Sequence, residues 1–128
     1  MEAITTGISW LAVGVSTVLC FMLGGLWYSS VLFGKKWAEG VGVDFGSGAT
    51  QPVPALVLQL VGTFLLAWLV GLAHAIGAYP ALVLIVATTT VLLIAANLFC
   101  EHTLYSALVQ GMFVVAMAAI MVVCNLVL

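Results

Sequence analysis

Polar and apolar residues alternate along the chain in long blocks. Four uncharged apolar windows, Ile4 to Phe33, Val53 to Ala78, Ala81 to Cys100 and Leu104 to Leu128, are separated by one loop and two short breaks. A hydrocarbon core of about 30 Å takes roughly 20 apolar residues as a helix, and every window reaches that length. The pattern predicts an all-α fold, an antiparallel up-down bundle of four transmembrane helices at about 8–33, 53–77, 80–100 and 103–127. The loop is 34–52, and 1–128 is one domain. The first window is longer than a crossing needs. Its crossing runs from near Ile8 to Tyr28, and Val31-Leu32-Phe33 lies at the interface before a Gly34-Lys35-Lys36-Trp37 turn.

The breaks carry their own signals. Gly77 closes the second helix in the left-handed conformation, and Pro80 suits the first turn of the third. No Gly or Pro divides the third window from the fourth, only Cys100-Glu101-His102-Thr103. One helix from Ala81 to Leu128 would run about 72 Å at 1.5 Å per residue, so bilayer thickness forces a turn at Glu101. Gly40, Gly42, Gly46 and Gly48 predict irregular backbone in the loop.

Polar side chains in lipid face the protein interior, so their spacing marks the inner side of each helix. On the first helix Thr6, Ser9, Val13, Ser16, Cys20, Gly24 and Trp27 recur at three- and four-residue steps. The second offers Gln59, Thr63, Leu66, Val70, His74 and Gly77, and the third Thr90, Ile94, Asn97 and Glu101. On the fourth the stripe is Thr103, Ser106, Gln110, Val114, Met117, Met121 and Asn125. Four such stripes converge on a common axis, each span beside the next. Gly24-Gly25, Gly71 with Ala75, and Ala107 with Gly111 let backbones approach closely.

Composition fixes the class. The chain is 66% hydrophobic and 5% charged, far below the roughly one-quarter charged residues of a soluble domain. Its two cations, Lys35 and Lys36, are too few for nucleic acid, which needs clustered basic groups. The partners expected are membrane lipids and either further copies or a larger membrane complex. The two lysines place loop 34–52 in the cytoplasm, with both termini outside and the Glu101-His102 turn inside. Trp10 and Tyr79 mark one interface, and Trp27, Tyr28, Trp37 and Tyr105 the other. No basic n-region or cleavage site suggests a signal peptide, so the first helix is expected to be retained.

Candidate chemistry is sparse. Cys20, Cys100 and Cys124 have no metal-ligand spacing and read as packing residues. No nucleophile-base set, carboxylate pair or phosphate loop is present, so no cofactor, metal or catalytic residue is expected. Trp27, Tyr28, Gln59, Asn97, Glu101 and Gln110 share a depth near loop 34–52 and frame a pocket open to that side. Glu101 is either a proton- or cation-handling group there or a solvated turn residue, the simpler reading. His74 is a bundle-facing relay or a satisfied interior histidine. Thr88-Thr89-Thr90 reads as hydroxyls bonded to the preceding turn rather than as a path. Lys35, Lys36 and Trp37 anchor the interface.

The run Gly25-Leu26-Trp27-Tyr28-Ser29-Ser30-Val31-Leu32-Phe33-Gly34-Lys35-Lys36-Trp37 resembles the GxLWYSPxLFGKxW segment of a small bacterial membrane family, domain of unknown function 1761. The likeness extends more weakly through the threonine-rich third span and Asn97-Leu98-Phe99-Cys100-Glu101-His102. Ser30 stands where the family has Pro. Val109-Gln110-Gly111-Met112-Phe113 replaces an Asn-Ala-Gly-Tyr-His-like run, which removes a polar pair. The resemblance implies four helices in the bacterial cytoplasmic membrane and no particular mechanism.

These features favour a non-catalytic, homo-oligomeric or accessory component of a membrane assembly. The alternative is a transporter or channel for protons or a small solute with its path at an oligomer interface, since Val13, Leu66, Ile94 and Val114 interrupt the stripes within one protomer. An enzyme acting on lipid or quinone ranks last, because the adjacent Glu101 and His102 would point about 100° apart on a helix.

Overall fold

The computed structural model describes residues 7–28, 32–42 and 53–128. Among these are five helices and no strand: α1 Trp10–Trp27, α2 Gly34–Val41, α3 Val53–Ile76, α4 Tyr79–Phe99 and α5 Leu104–Val127. All but α2 are long and apolar enough to cross a membrane. Glu2, Thr6, Ser29, Ser30, Val31, Asp44, Gly46 and Gly48 lie outside the described residues.

Local chemistry sets the ends. The Ser9 hydroxyl accepts from Ala12 N at 3.3 Å to start α1, and Thr103 accepts from Ser106 N at 3.2 Å to start α5. α3 ends at Gly77 (φ 69°), with Ala78 N donating to Ala73 O at 2.8 Å across the turn. Pro80 stands in the first turn of α4, where its missing N–H is not needed.

Two expectations change. The helix outlined at about 8–33 is shorter, since α1 spans Trp10–Trp27. The start of loop 34–52, read as a turn leading into irregular backbone, is helix α2. Its glycines do different work. Gly40 lies inside the helix, where a Cβ would run into Ser106 Oγ and Thr103 Oγ1, so it serves close approach to α5. Gly42, at φ 82°, closes the helix in the left-handed region.

The spans do not close evenly around one axis. α5 packs against every other helix, and the diagonal pair α3 and α5 is in closer contact than the neighbours α3 and α4. α5 is accordingly the most buried span and α4 the least. The core lies along α5, where Phe113, Met117 and Met121 meet Val13 and Cys20 of α1 and Ala67 and Val70 of α3. α5 therefore buries more than one stripe, including Ala107, Val109, Gly111, Ala118 and Cys124.

Small residues set the closest approaches. A Cβ on Gly111 would meet Ile94 Cγ1 at 2.7 Å and Cδ1 at 2.8 Å, so α4 rests on α5 there. Gly71 gives Ile8 and Val13 room in the same way, and Gly24 admits the Phe113 ring. Gly62 has no atom within 4 Å of its would-be Cβ. Gly111→Ala is expected to lose about 1–3 kcal/mol by overpacking, with Ile94→Ala as second change recovering part of it. Gly62→Ala should stay within about 1 kcal/mol of the parent. Thermal unfolding of the four proteins in one detergent measures both.

Candidate functional site

Most interior polar side chains are satisfied by their own helix. Thr17 Oγ1 donates to Val13 O at 2.7 Å, Thr63 Oγ1 to Gln59 O at 2.7 Å, and Asn125 Nδ2 to Met121 O at 2.8 Å, although Asn125 Oδ1 has no partner among the described residues. Hydrocarbon supplies no competing partner, so back-bonding to the preceding turn is the available solution. Of the threonine run, Thr88 follows this rule by donating to Leu84 O, whereas the buried Thr90 hydroxyl has no partner among the described residues.

Asn97 behaves differently. It is 5% exposed near the end of α4, and its Nδ2 donates to Leu93 O at 2.9 Å and to Gln110 Oε1 at 2.9 Å. Leu93 O is a carbonyl and can only accept, so the orientation of the Asn97 amide is fixed. Asn97 Oδ1, 2.7 Å from His102 Nδ1, must then accept, which puts a hydrogen on Nδ1. Gln110 has turned its oxygen to Asn97, and among the described residues its Nε2 hydrogens have no acceptor. A chain of fixed direction thus runs from the α4–α5 turn into the protein.

Two clefts meet at the end of this chain. One, of about 450 Å³, lies between α3 and α4 over α5 and is lined by Thr63, Leu66, Val86 and Thr89 among others. The second, of about 420 Å³, lies between α1 and α3 and reaches Cys20, Gly24 and Trp37. Tyr28, Gln59, Gln110 and Phe113 line both. Tyr28 stands one residue beyond the α1 span, its ring edge-on to Trp37 at 4.9 Å and to Phe113 at 5.6 Å. Burial pushes its phenol above the ordinary value and keeps it a neutral hydroxyl.

Of the six residues expected to frame one pocket, Tyr28, Gln59 and Gln110 line these clefts and Asn97 supports Gln110 from behind. Trp27 instead donates through Nε1 to Val109 O at 3.0 Å and packs on Phe33 and Phe113. Glu101 is exposed and makes no side-chain hydrogen bond or ion pair among the described residues. It sits at φ 62°, where the α4 turn is closed by Glu101 N donating to Leu98 O and His102 N donating to Asn97 O. This is the six-residue cap that Gly77 provides at the other turn.

His74 is half-buried near the end of α3. Its Nδ1 lies 2.6 Å from the Tyr79 hydroxyl across the short α3–α4 turn. Among the anchors Lys35 and Lys36 are exposed, with Lys36 Nζ 4.5 Å above the Tyr105 ring, while Trp37 turns inward to Tyr28. Sequence reasoning missed His102 and Phe113 as site residues. His102 was accessible from the capping rule, because the second residue past a helix end packs back on the residue five before it. Phe113 carries only the spacing of an ordinary core aromatic.

These features define a four-span, all-helical membrane protein with two adjoining clefts. The chain belongs to the family described as Protein of unknown function (DUF1761), which it matches over residues 11–126. No curated protein and no solved structure matches it.

The left-handed backbone at Glu101 yields a direct test of its role. Glu101→Gly should raise stability by up to about 1 kcal/mol, Glu101→Gln should leave it unchanged, and Glu101→Val should lower it by about 1–2 kcal/mol. Thermal melts of the three variants provide the comparison.

Proposed function

We propose that this protein is a non-catalytic component of a membrane assembly, joined to further copies or to other chains through the outer face of α4. The observation that carries this reading is the spacing on that face. Ala81, Thr88 and Ala95 fall seven residues apart, among Leu84, Val91 and Leu92, which are each more than 60% exposed. A small residue every seventh position lets a second helix approach at a shallow left-handed angle, and close packing drives helix association where lipid is as apolar as the side chains. α4 is also the least buried span.

Transport of protons or a small solute would use a path at that same interface, because Val13, Val70, Met117 and Met121 fill the protomer's middle. Extraction into native nanodiscs followed by mass measurement and identification of every polypeptide tests the assembly. The result expected is a particle with more than one chain, which Thr88→Phe separates. A single chain per particle would contradict the reading.

We further place the protein in a bacterial cytoplasmic membrane with α2 and the α4–α5 turn on the cytoplasmic side. Both face the same way, since Thr103 N donates to Gly40 O at 3.1 Å and Ser106 Oγ to Trp37 O at 2.9 Å. Cys100 is exposed at that turn while Cys20 and Cys124 are buried. A membrane-impermeant maleimide should therefore label Cys100 in inverted vesicles and not in intact cells. The opposite pattern would reverse the orientation.

A further inference from the structure

The clefts flank α3, one towards α4 and one towards α1, and their chemistry selects a ligand. Gly62, Leu65, Ile85 and Thr89, at the rim of the larger cleft, are exposed on the spans α3 and α4, so the opening faces lipid rather than water. Among the described residues no charged side chain lines either cleft. An ion entering from hydrocarbon would find no counter-charge, so the occupant is neutral.

The polar groups select further. Gln59 turns its Nε2 to Thr63 Oγ1 at 3.4 Å, and the Thr63 hydroxyl is committed to Gln59 O. Gln110 is left as a donor by the fixed direction of Asn97. The Tyr28 hydroxyl, which no described residue bonds, stands in the same shared wall. Gln110 Nε2 and the Tyr28 hydroxyl can both donate from this apolar wall, and a carbonyl oxygen is a ligand group that accepts from them. Gln110 lies about 9 Å along the helix axis from Leu104, a shallow depth in the bilayer. The cleft volumes fall in the range that holds small ligands.

We propose that the two clefts form one site for a neutral, lipid-soluble molecule bearing a carbonyl oxygen. The oxygen accepts from Gln110 Nε2, and the apolar body lies along Phe113 and Leu66. The carbonyl belongs either to an ester of a bilayer lipid or to a free lipid-soluble compound such as a quinone.

The test uses the full chain in nanodiscs and two photoreactive lipids carrying the same diazirine, one ester-linked and one ether-linked. Labelled positions are mapped by peptide mass spectrometry. The ester probe should label the cleft residues of α3 and α5 about two- to tenfold more than the ether probe, the range of one neutral hydrogen bond. Gln110→Met should equalise the two. Gly62→Trp, which adds a ring at a rim position with open space, should abolish cleft labelling while the bundle stays folded. Displacement of the ester probe by excess lipid-soluble quinone supports the site with a free compound as ligand, and resistance to displacement supports it with a bilayer ester. Equal labelling by both probes in the parent, or cleft labelling that survives Gly62→Trp, overturns the proposal. Neither result bears on the assembly formed through α4.

Discussion

Hydrocarbon offers no hydrogen bonds, so the Asn97 amide, buried where α4 meets α5, has to be satisfied entirely by protein. It is satisfied on three sides, by Leu93 O, Gln110 Oε1 and His102 Nδ1, while the Asn97 backbone carbonyl accepts from His102 N. One residue thereby joins the last turn of α4, the first turns of α5 and the link between them. Because one of its partners is a backbone carbonyl, the direction of every bond in the group is fixed.

The remaining architecture follows from α4 packing along α5 and hardly on α3. Its contacts with α5 run through Gly111, where Ile94 and Thr90 come close, and its contact with α3 is slight. The gap between α3 and α4 becomes a cleft floored by α5. At its inner end stands Gln110, whose donor is directed by Asn97. Where a polar side chain serves only its own helix, as with Thr17, the interior closes around apolar side chains.

Much of this was legible in the sequence because lipid enforces it. Span number follows from charge-free length, and the spacing of Val13, Ser16 and Cys20, or of Ser106, Met117, Met121 and Asn125, marks faces that are buried. Gly77 and Pro80 signal their turn by backbone chemistry alone. Other features depend on tertiary context. Gly40 has the composition of a loop and the role of a helix contact, which only the position of Ser106 reveals. Glu101 invites a functional reading as the one carboxylate beside a span, yet it occupies the left-handed position of a cap and its side chain is exposed. Gln59 belongs to the inner stripe of α3 but is exposed beside the cleft, because α4 stands away from α3. Periodicity gives the face of a helix and not its distance from the neighbour.

The direction of the Asn97 group is the central claim, and the tautomer of His102 reports it directly. The chain has two histidines, so ¹⁵N-histidine labelling with His74→Phe leaves one imidazole to observe. In nanodiscs, at a pH where that ring is neutral, the ¹⁵N shifts should show hydrogen on Nδ1 and a bare Nε2. Hydrogen on Nε2 with a bare Nδ1 would mean that Asn97 presents its nitrogen to His102, and the directed donor at Gln110 would be lost with it.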